Sequence, residues 1–195
     1  MNGPEPTVPP DAALSRARKG RIRNGISDSA AARRGSLIAA ALAALLRHAI
    51  VLFSRLVTGV QVRWSGCGPE PVQRIYYANH TSNGDSILLW TALAPAQRRR
   101  TRPVAAADYW AKGSIRRFVA KAVFRSVLIE RKEVTRGNNP LSALIGSLDT
   151  GASLIVFPEG TRNTSGRTAL PFKSGIYHLA RARPTSNWSP SGSPI

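Results

Sequence analysis

Acidic residues are scarce in this sequence: 10 Asp and Glu stand against 28 Lys and Arg, which gives a formal net charge of +18. Such a chain disfavours cationic partners and favours anionic ones, namely a membrane surface, a phosphorylated substrate or a nucleic acid. The arginine cluster at residues 98–102 lacks interleaved aromatic side chains, and no nucleic-acid recognition motif accompanies it. We therefore predict an anionic membrane surface as partner and no nucleic acid, with a solvated basic face as the plain alternative for the cluster.

Cysteine is almost absent as well. The single Cys67 excludes an internal disulfide and offers no cysteine cluster to a metal ion. This composition suits a reducing compartment, and we expect no metal site.

An uninterrupted apolar run of transmembrane length is also missing. The longest apolar stretch, residues 37–60, is interrupted by polar side chains at Arg47, His48, Ser54, Arg55 and Thr58. At 100° per residue these positions fall within an arc of about 120°, which leaves the broad apolar face of an amphipathic helix. A transmembrane span would place two arginines in hydrocarbon, at about 2.5–3.5 kcal/mol each. We predict a membrane-associating helix over residues 36–60 that lies in the interface, with a soluble core helix and a true span as alternatives.

Residues 1–35 have no apolar period and are rich in Pro, Ala, Ser and Arg. This composition is typical of disorder, and the basic side chains suit contact with anionic lipid headgroups. A transit peptide is an alternative that Glu5, Asp11 and Asp28 weaken. A start codon assigned too far upstream would also produce such a segment. We predict a disordered basic arm over residues 1–35.

Beyond residue 62, segments typical of strands alternate with segments typical of helices. The predicted strands are residues 74–78, 103–107, 126–130 and 153–157, and the predicted helices are residues 86–93, 110–123, 140–149 and 175–183. This alternation predicts an α/β domain over residues 62–183, with a mostly parallel sheet flanked by helices. Loops beyond the carboxyl ends of such strands form the site, which would bring His80, Arg131 and Glu159 to one edge.

A histidine is followed five positions later by an aspartate in the segment Asn-His-Thr-Ser-Asn-Gly-Asp at residues 79–85. Residues five apart do not share a face of an α-helix, so we expect His80 to precede the helix. Histidine suits a base near neutral pH, and Asp85 would fix its tautomer and stabilise the imidazolium. No Gly-x-Ser-x-Gly segment follows, so the nucleophile would be a hydroxyl of the substrate. The alternative is that Asp85 only caps the helix and His80 is a loop histidine.

Further segments carry groups that suit an anionic substrate. In Phe-Pro-Glu-Gly-Thr-Arg at residues 157–162, Gly160 lets a ligand approach the backbone and Arg162 presents a fork-shaped cation to a phosphate. Arg131, directly after a predicted strand, has the same interpretation. The alternatives are an ordinary turn for the segment that contains Gly160 and Arg162, and an ordinary surface arginine for Arg131. The segment Phe-Lys-Ser-Gly at residues 172–175 precedes a helix, whose N-terminus either holds an anion or is simply capped.

Taken in order, the segments at residues 79–85, 128–131, 157–162 and 172–175 resemble the glycerolipid acyltransferase family of 1-acyl-sn-glycerol-3-phosphate acyltransferases. The resemblance covers about residues 62–183. It implies that His80 is the general base with Asp85 as its partner, and that the apolar N-terminal helix docks on a membrane. The acceptor site that it implies consists of Arg131, Glu159, Gly160, Thr161 and Arg162.

The activity implied by the resemblance is acyl transfer from a thioester to the free hydroxyl of a lysophospholipid, above all 1-acyl-sn-glycerol-3-phosphate, to give phosphatidic acid. A thioester is an activated electrophile, so positioning the hydroxyl and removing its proton suffice. We expect no cofactor beyond acyl-CoA or acyl-carrier protein as co-substrate, and a location at the cytoplasmic face of the inner (plasma) membrane. Another lysolipid acceptor and a truncated, non-catalytic membrane-peripheral protein are the alternatives, and the oligomeric state is left open.

Residues 184–195 depart from the family pattern, which continues with a strand bearing a short Val-Pro element. The Ser- and Pro-rich composition here predicts an irregular tail. One codon choice for residues 184–193 encodes Asp-Val-Glu-Leu-Val-Pro-Val-Trp-Ile when it is read from its third base. We therefore hypothesise a frameshift near Pro184, which the nucleotide sequence of the gene tests.

Overall fold

A computed structural model describes residues 10–65, 68–70, 72–131, 135, 137–183 and 187–190. The chain divides into two compact units, residues 1–42 and residues 43–195. Residues 1–9 of the predicted basic arm and Cys67 lie outside the described residues.

Helix α1 spans Pro10–Thr58. It ends at Gly59, which has a left-handed φ of 61° and whose N–H donates to the Arg55 carbonyl at 2.9 Å. The structure differs here from the disordered arm predicted over residues 1–35, because residues 10–35 belong to α1. Ala, Arg and Leu, which have high helix propensity, are common in this stretch, and propensity favours a helix even where no apolar period exists.

The second unit is built on a parallel sheet in the strand order β3-β2-β4-β1-β5. The strands are β1 Arg74–Tyr77, β2 Thr101–Ala106, β3 Val127–Ile129, β4 Ser153–Val156 and β5 Asn187–Pro190. Ile75 of β1 pairs with Leu154 of β4, and all four residues of β4 are buried, as expected for a central strand. The predicted α/β class with a parallel sheet and flanking helices is confirmed.

The remaining helices are α2 Asp85–Ala92, α3 Pro95–Arg100, α4 Ala107–Trp110, α5 Ser114–Phe118, α6 Pro140–Asp149 and α7 Ser174–Ala182. A π-helical segment, Val119–Val123, continues α5. The single helix predicted over residues 110–123 is therefore divided. Gly113, with a φ of 82°, breaks it because a left-handed residue cannot continue a right-handed helix.

The C-terminal tail contains a strand where the sequence predicts irregular structure over residues 184–195. Strand β5 pairs in parallel with β1, from Arg74 opposite Asn187 to Tyr77 opposite Pro190. The free edge of β1 offers backbone hydrogen bonds to any extended segment, and proline is tolerated on an edge strand. The composition of the tail was therefore a poor guide to its secondary structure. Residues 184–186 and 191–195 lie outside the described residues.

The core lies on both faces of the sheet, because neighbouring side chains of a strand point to opposite sides. On one face Tyr76 and Ile155 belong to a cluster with Trp90, whose ring meets Phe124 edge to face at 5.1 Å. Residues of α1 from the second unit, such as Ala43, belong to the same cluster. The other cluster contains Ile75, Leu148, Leu154, Val156 and Leu179.

The charged side chains of α1 in the second unit contact the ends of neighbouring helices. Arg47 donates to the carbonyls of Val123 and Ala122, each at 3.1 Å. Arg55 donates to the carbonyl of Thr91 at 3.4 Å. Carbonyls in the last turn of a helix lack intrahelical partners and attract cations, so both arginines are used by the fold.

Large apolar side chains of α1 remain exposed. In the first unit, Leu37 is 70% exposed and Ile38 68% exposed. In the second unit the exposed members are Leu45, Leu52, Phe53, Leu56 and Val57. The segment Ala32–Thr58 is long and apolar enough, by length and composition, to cross a membrane.

The arginine cluster at residues 98–102 contributes to the fold through at least two of its members. Arg98 lies over the Trp90 ring at 5.4 Å, and Arg102 donates to the Ser147 hydroxyl at 3.4 Å. Burial, and then the neighbouring Arg55, lower the pKa of Arg98. These contacts give the cluster a structural role beyond that of a solvated surface.

Candidate active site

His80 and Asp85 lie in contact beyond the carboxyl end of β1. Asp85 Oδ2 accepts hydrogen bonds from the backbone N–H groups of Thr81 at 2.7 Å and Ser82 at 2.8 Å, and lies 3.0 Å from His80 Nδ1. A carboxylate oxygen can only accept hydrogen bonds, so its contact with Nδ1 requires a proton on that nitrogen. The His80 proton therefore sits on Nδ1, and Nε2 is left as the basic nitrogen.

The alternative that Asp85 only caps α2 does not fit this geometry. The cap of α2 is Gly84, and Asp85 is the first helical residue. Its side chain binds amides that precede the helix, which fastens the loop that carries His80. The loop is thus folded around the carboxylate, and the ring is oriented as a consequence.

The Phe-Pro-Glu-Gly-Thr-Arg segment packs directly against His80. The Phe157 ring stacks on the imidazole with centroids 4.3 Å apart and an angle of 22°. The Asn163 N–H donates to the His80 carbonyl at 2.6 Å. Because β1 and β4 are parallel neighbours, their carboxyl ends meet, and the two segments share one edge of the sheet as predicted.

Gly160 occupies a tight turn that only glycine suits. Its φ is 68°, and its N–H donates to the Phe157 carbonyl at 3.0 Å. The aliphatic chain of Lys173 lies across it: a Cβ at position 160 would stand 3.1 Å from Lys173 Cγ and 3.5 Å from Cε. Lys173 is in turn fixed by its own N–H, which donates to the Pro158 carbonyl at 2.8 Å.

The other residues of this turn differ in exposure. Glu159 is 1% exposed, and neither of its carboxylate oxygens has a hydrogen-bond partner among the residues that the structure describes. Thr161 and Arg162 are exposed. A buried carboxylate without a partner costs free energy, which suits a group that receives its partner from a ligand.

Arg131 reaches the same turn from β3. Its Nη1 lies 3.5 Å from the Gly160 carbonyl, at the limit of a hydrogen bond. Its Nη2 lies 3.1 Å from each carboxylate oxygen of Asp108. Of the residues predicted for the acceptor site, Arg131 therefore lies beside Gly160, and Glu159, Thr161 and Arg162 are neighbours of Gly160 in the chain.

Asp108 and Asn163 were missed as candidate residues, and Lys173 was considered only as part of the segment at residues 172–175. A sequence signal existed for Asp108, because it is one of only 10 acidic residues and directly follows a strand. Asn163 is 7% exposed, and its side chain accepts from Ser165 and donates to the Arg167 carbonyl at 2.7 Å. It holds the loop after the turn. In the described part of the chain, no group of three His, Cys, Asp or Glu side chains could hold a metal ion.

Comparison with known proteins gives matches to acyltransferases. The Acyltransferase family model matches residues 67–189. The chain is 30% identical over 113 residues to a 1-acyl-sn-glycerol-3-phosphate acyltransferase of Haemophilus influenzae, which covers 54% of this chain and 42% of that protein. It is 32% identical over 136 residues to 1-acyl-sn-glycerol-3-phosphate acyltransferase alpha of Mus musculus, covering 67% of this chain and 45% of that protein.

Among solved structures, the 1-acyl-sn-glycerophosphate (LPA) acyltransferase PlsC from Thermotoga maritima matches with a TM-score of 0.51 and 26% identity, over 71% of this chain and 54% of that chain. The chain spans less than half the length of the two curated relatives. The family model nevertheless matches more than half of this chain, and the motifs that carried the resemblance lie within the matched residues. The chain belongs to the acyltransferase family that includes the 1-acyl-sn-glycerol-3-phosphate acyltransferases.

Proposed function

We propose that the chain transfers an acyl group from an acyl thioester to the free hydroxyl of 1-acyl-sn-glycerol-3-phosphate and so forms phosphatidic acid. The observation that carries the proposal is the His80 imidazole, 3.0 Å from Asp85 and stacked on Phe157 of the second motif. Family membership supports the reaction class. The basic turn around Gly160 supports an acceptor that carries a phosphate.

In the proposed mechanism His80 Nε2 takes the proton of the acceptor hydroxyl as that oxygen attacks the thioester carbonyl carbon. The resulting imidazolium is stabilised by Asp85, which already accepts from Nδ1. The tetrahedral intermediate then collapses, the C–S bond breaks, and the thiolate leaves with the proton from Nε2. The thiol and the new ester are released, and the base is regenerated.

The acceptor phosphate would be held by Arg131 and Arg162 around the Gly160 turn. A phosphate that bridges the two guanidinium groups would fix the glycerol backbone, so that the free hydroxyl lies beside Nε2. The Glu159 carboxylate, which has no hydrogen-bond partner in the described part of the chain, supports a role for the same turn in ligand binding. Thr161 adds an exposed hydroxyl next to it.

Membrane association would bring the enzyme to its lipid acceptor. The exposed apolar side chains of α1 support contact with the acyl region of a bilayer, and the net charge of +18 supports an anionic surface. The arginines at positions 47 and 55 do not oppose this contact, because they bind backbone carbonyls of the fold. We propose a location at the cytoplasmic face of the inner (plasma) membrane, where acyl-CoA or acyl-carrier protein supplies the acyl group.

The test is an assay of the purified full chain with labelled acyl-CoA and a panel of lysolipids in vesicles. We expect labelled phosphatidic acid to form from 1-acyl-sn-glycerol-3-phosphate faster than product forms from lysolipids whose phosphate is a diester. A preference for another lysolipid would transfer the proposal to that acceptor. Absence of acceptor-dependent thiol release with every acceptor and both donor types would favour the non-catalytic membrane-peripheral alternative instead.

A further inference from the structure

An aspartate outside the recognised motifs forms an ion pair with a motif arginine. Asp108 lies in α4, directly after β2, and both of its carboxylate oxygens lie 3.1 Å from Arg131 Nη2. The two side chains are 27% and 42% exposed, so the pair lies at the surface of the site, within reach of a ligand. The pair connects the carboxyl ends of neighbouring strands β2 and β3.

This ion pair determines where the guanidinium of Arg131 lies. With Nη2 held by Asp108, Nη1 is directed to the Gly160 carbonyl at 3.5 Å. An arginine side chain without such an anchor samples many rotamers. A ligand that binds it must then offset the conformational entropy that the side chain loses when it is fixed in one rotamer. The ion pair orders the side chain before a ligand arrives.

A second cation borders the same glycine. The Lys173 side chain crosses Gly160, and its Cε lies 3.5 Å from the position that a Cβ on residue 160 would occupy. The ammonium group of Lys173 is bonded directly to this Cε. Three cations, Arg131, Lys173 and Arg162, lie at or beside this turn against the carboxylates of Asp108 and the buried Glu159, which leaves the turn with net positive charge. A phosphomonoester is the group of the proposed acceptor that complements this charge.

We propose that Asp108 is a positioning residue that holds Arg131 beside the Gly160 turn, so that Arg131, together with Arg162 and Lys173, receives the phosphate of the acceptor. This inference rests on the proposed function, because it assigns that phosphate to the turn. Asp108 itself repels the phosphate, so the positioning role requires that the order it imposes on Arg131 outweighs this repulsion, and the acceptor KM of an Asp108 variant measures the balance.

The test is the kinetics of the full chain and its Asp108→Asn variant on vesicles that contain 1-acyl-sn-glycerol-3-phosphate. We expect the KM for this acceptor to rise roughly threefold to fivefold, with kcat and the KM for acyl-CoA within about twofold of wild type. Asp108→Glu should restore part of the loss. Asp149→Asn is the matched control, because Asp149 pairs with Arg183 at an exposed site.

Other outcomes would overturn the positioning role. A lower KM in Asp108→Asn would show that the carboxylate competes with the phosphate. A fall in kcat or in thermal stability with an unchanged acceptor KM would show a structural role, and a raised KM for acyl-CoA would assign the cations to the donor.

If the wild-type chain transfers acyl groups to no lysolipid, the proposed function fails, and the ion pair is tested by direct binding of 1-acyl-sn-glycerol-3-phosphate. Weaker binding by Asp108→Asn supports the positioning role. Equal binding, or no binding by wild type, overturns it.

Discussion

Replacement of Asp85 by asparagine tests how far the site depends on one negative charge. Asp85 Oδ2 accepts from two backbone amides at 2.7 and 2.8 Å and lies 3.0 Å from His80 Nδ1. A hydrogen bond to a charged group contributes about 1.5–3 kcal/mol, against about 0.5–1.5 kcal/mol for a neutral one. The asparagine oxygen still accepts from both amides, but without charge assistance. We therefore expect the free energy of unfolding to fall by about 1–3 kcal/mol.

The effect of Asp85→Asn on catalysis should be larger than its effect on stability. The neutral amide cannot stabilise the imidazolium that forms when His80 takes the proton of the acceptor. We expect the rate of acyl transfer to fall by a factor of about 10²–10⁴, as for the analogous change in a Ser-His-Asp triad.

Urea denaturation and initial rates of thiol release measure the two effects. Asp85→Ala is the companion variant, and it should unfold more easily than Asp85→Asn because both amides lose their acceptor. Asp149→Asn controls for the loss of a surface carboxylate and should change neither quantity appreciably. A wild-type rate in Asp85→Asn would refute the role of the carboxylate, and equal stability of the two Asp85 variants would refute its role in fastening the loop.

Three further changes test other parts of the account. Gly160→Ala should lower the free energy of unfolding by at least about 1–2 kcal/mol, because the residue has a φ of 68° and lies beneath the Lys173 chain. The control is Gly146→Ala inside α6, where no atom lies within 4 Å of the added Cβ. This variant should stabilise the chain in the same denaturation assay. Glu159→Gln should lower acyl transfer without lowering the free energy of unfolding, since it removes the charge of a buried carboxylate that has no partner among the described residues; easier unfolding would contradict this. Phe53→Ser, at a site that is 67% exposed, should weaken binding to anionic vesicles in a flotation assay without loss of thermal stability, and unchanged binding would argue against the apolar contact of α1.

Much of the fold could be predicted because its signals are local. Strands β1 and β4 are short apolar segments, and α6 has a proline in its first turn and Asn139 as its cap. The His80–Asp85 contact was also predictable, since the five-residue spacing places the histidine in the loop and the aspartate at the start of α2. In each case the residues that decide the structure are close in sequence.

The parts that could not be predicted depend on contacts between distant residues. The pair of Asp108 and Arg131 joins α4 to the loop after β3, and nothing near either residue in the sequence indicates the other. Strand β5 forms because β1 has a free edge, which tail composition does not reveal. The inward contacts of Arg47 likewise depend on carbonyls 75 and 76 residues away. A helical wheel identified the polar arc of α1 but could not identify what it contacts.

The proposed mechanism depends most on His80 acting as the base, and His80→Ala tests this role most directly. With purified full-length chain, acyl-CoA and 1-acyl-sn-glycerol-3-phosphate, we predict a loss of acyl transfer of at least about a hundredfold in this variant. Its thermal unfolding should still be cooperative, and His178→Ala, at an exposed site on α7, should retain the wild-type rate. Normal formation of phosphatidic acid by His80→Ala would contradict the account.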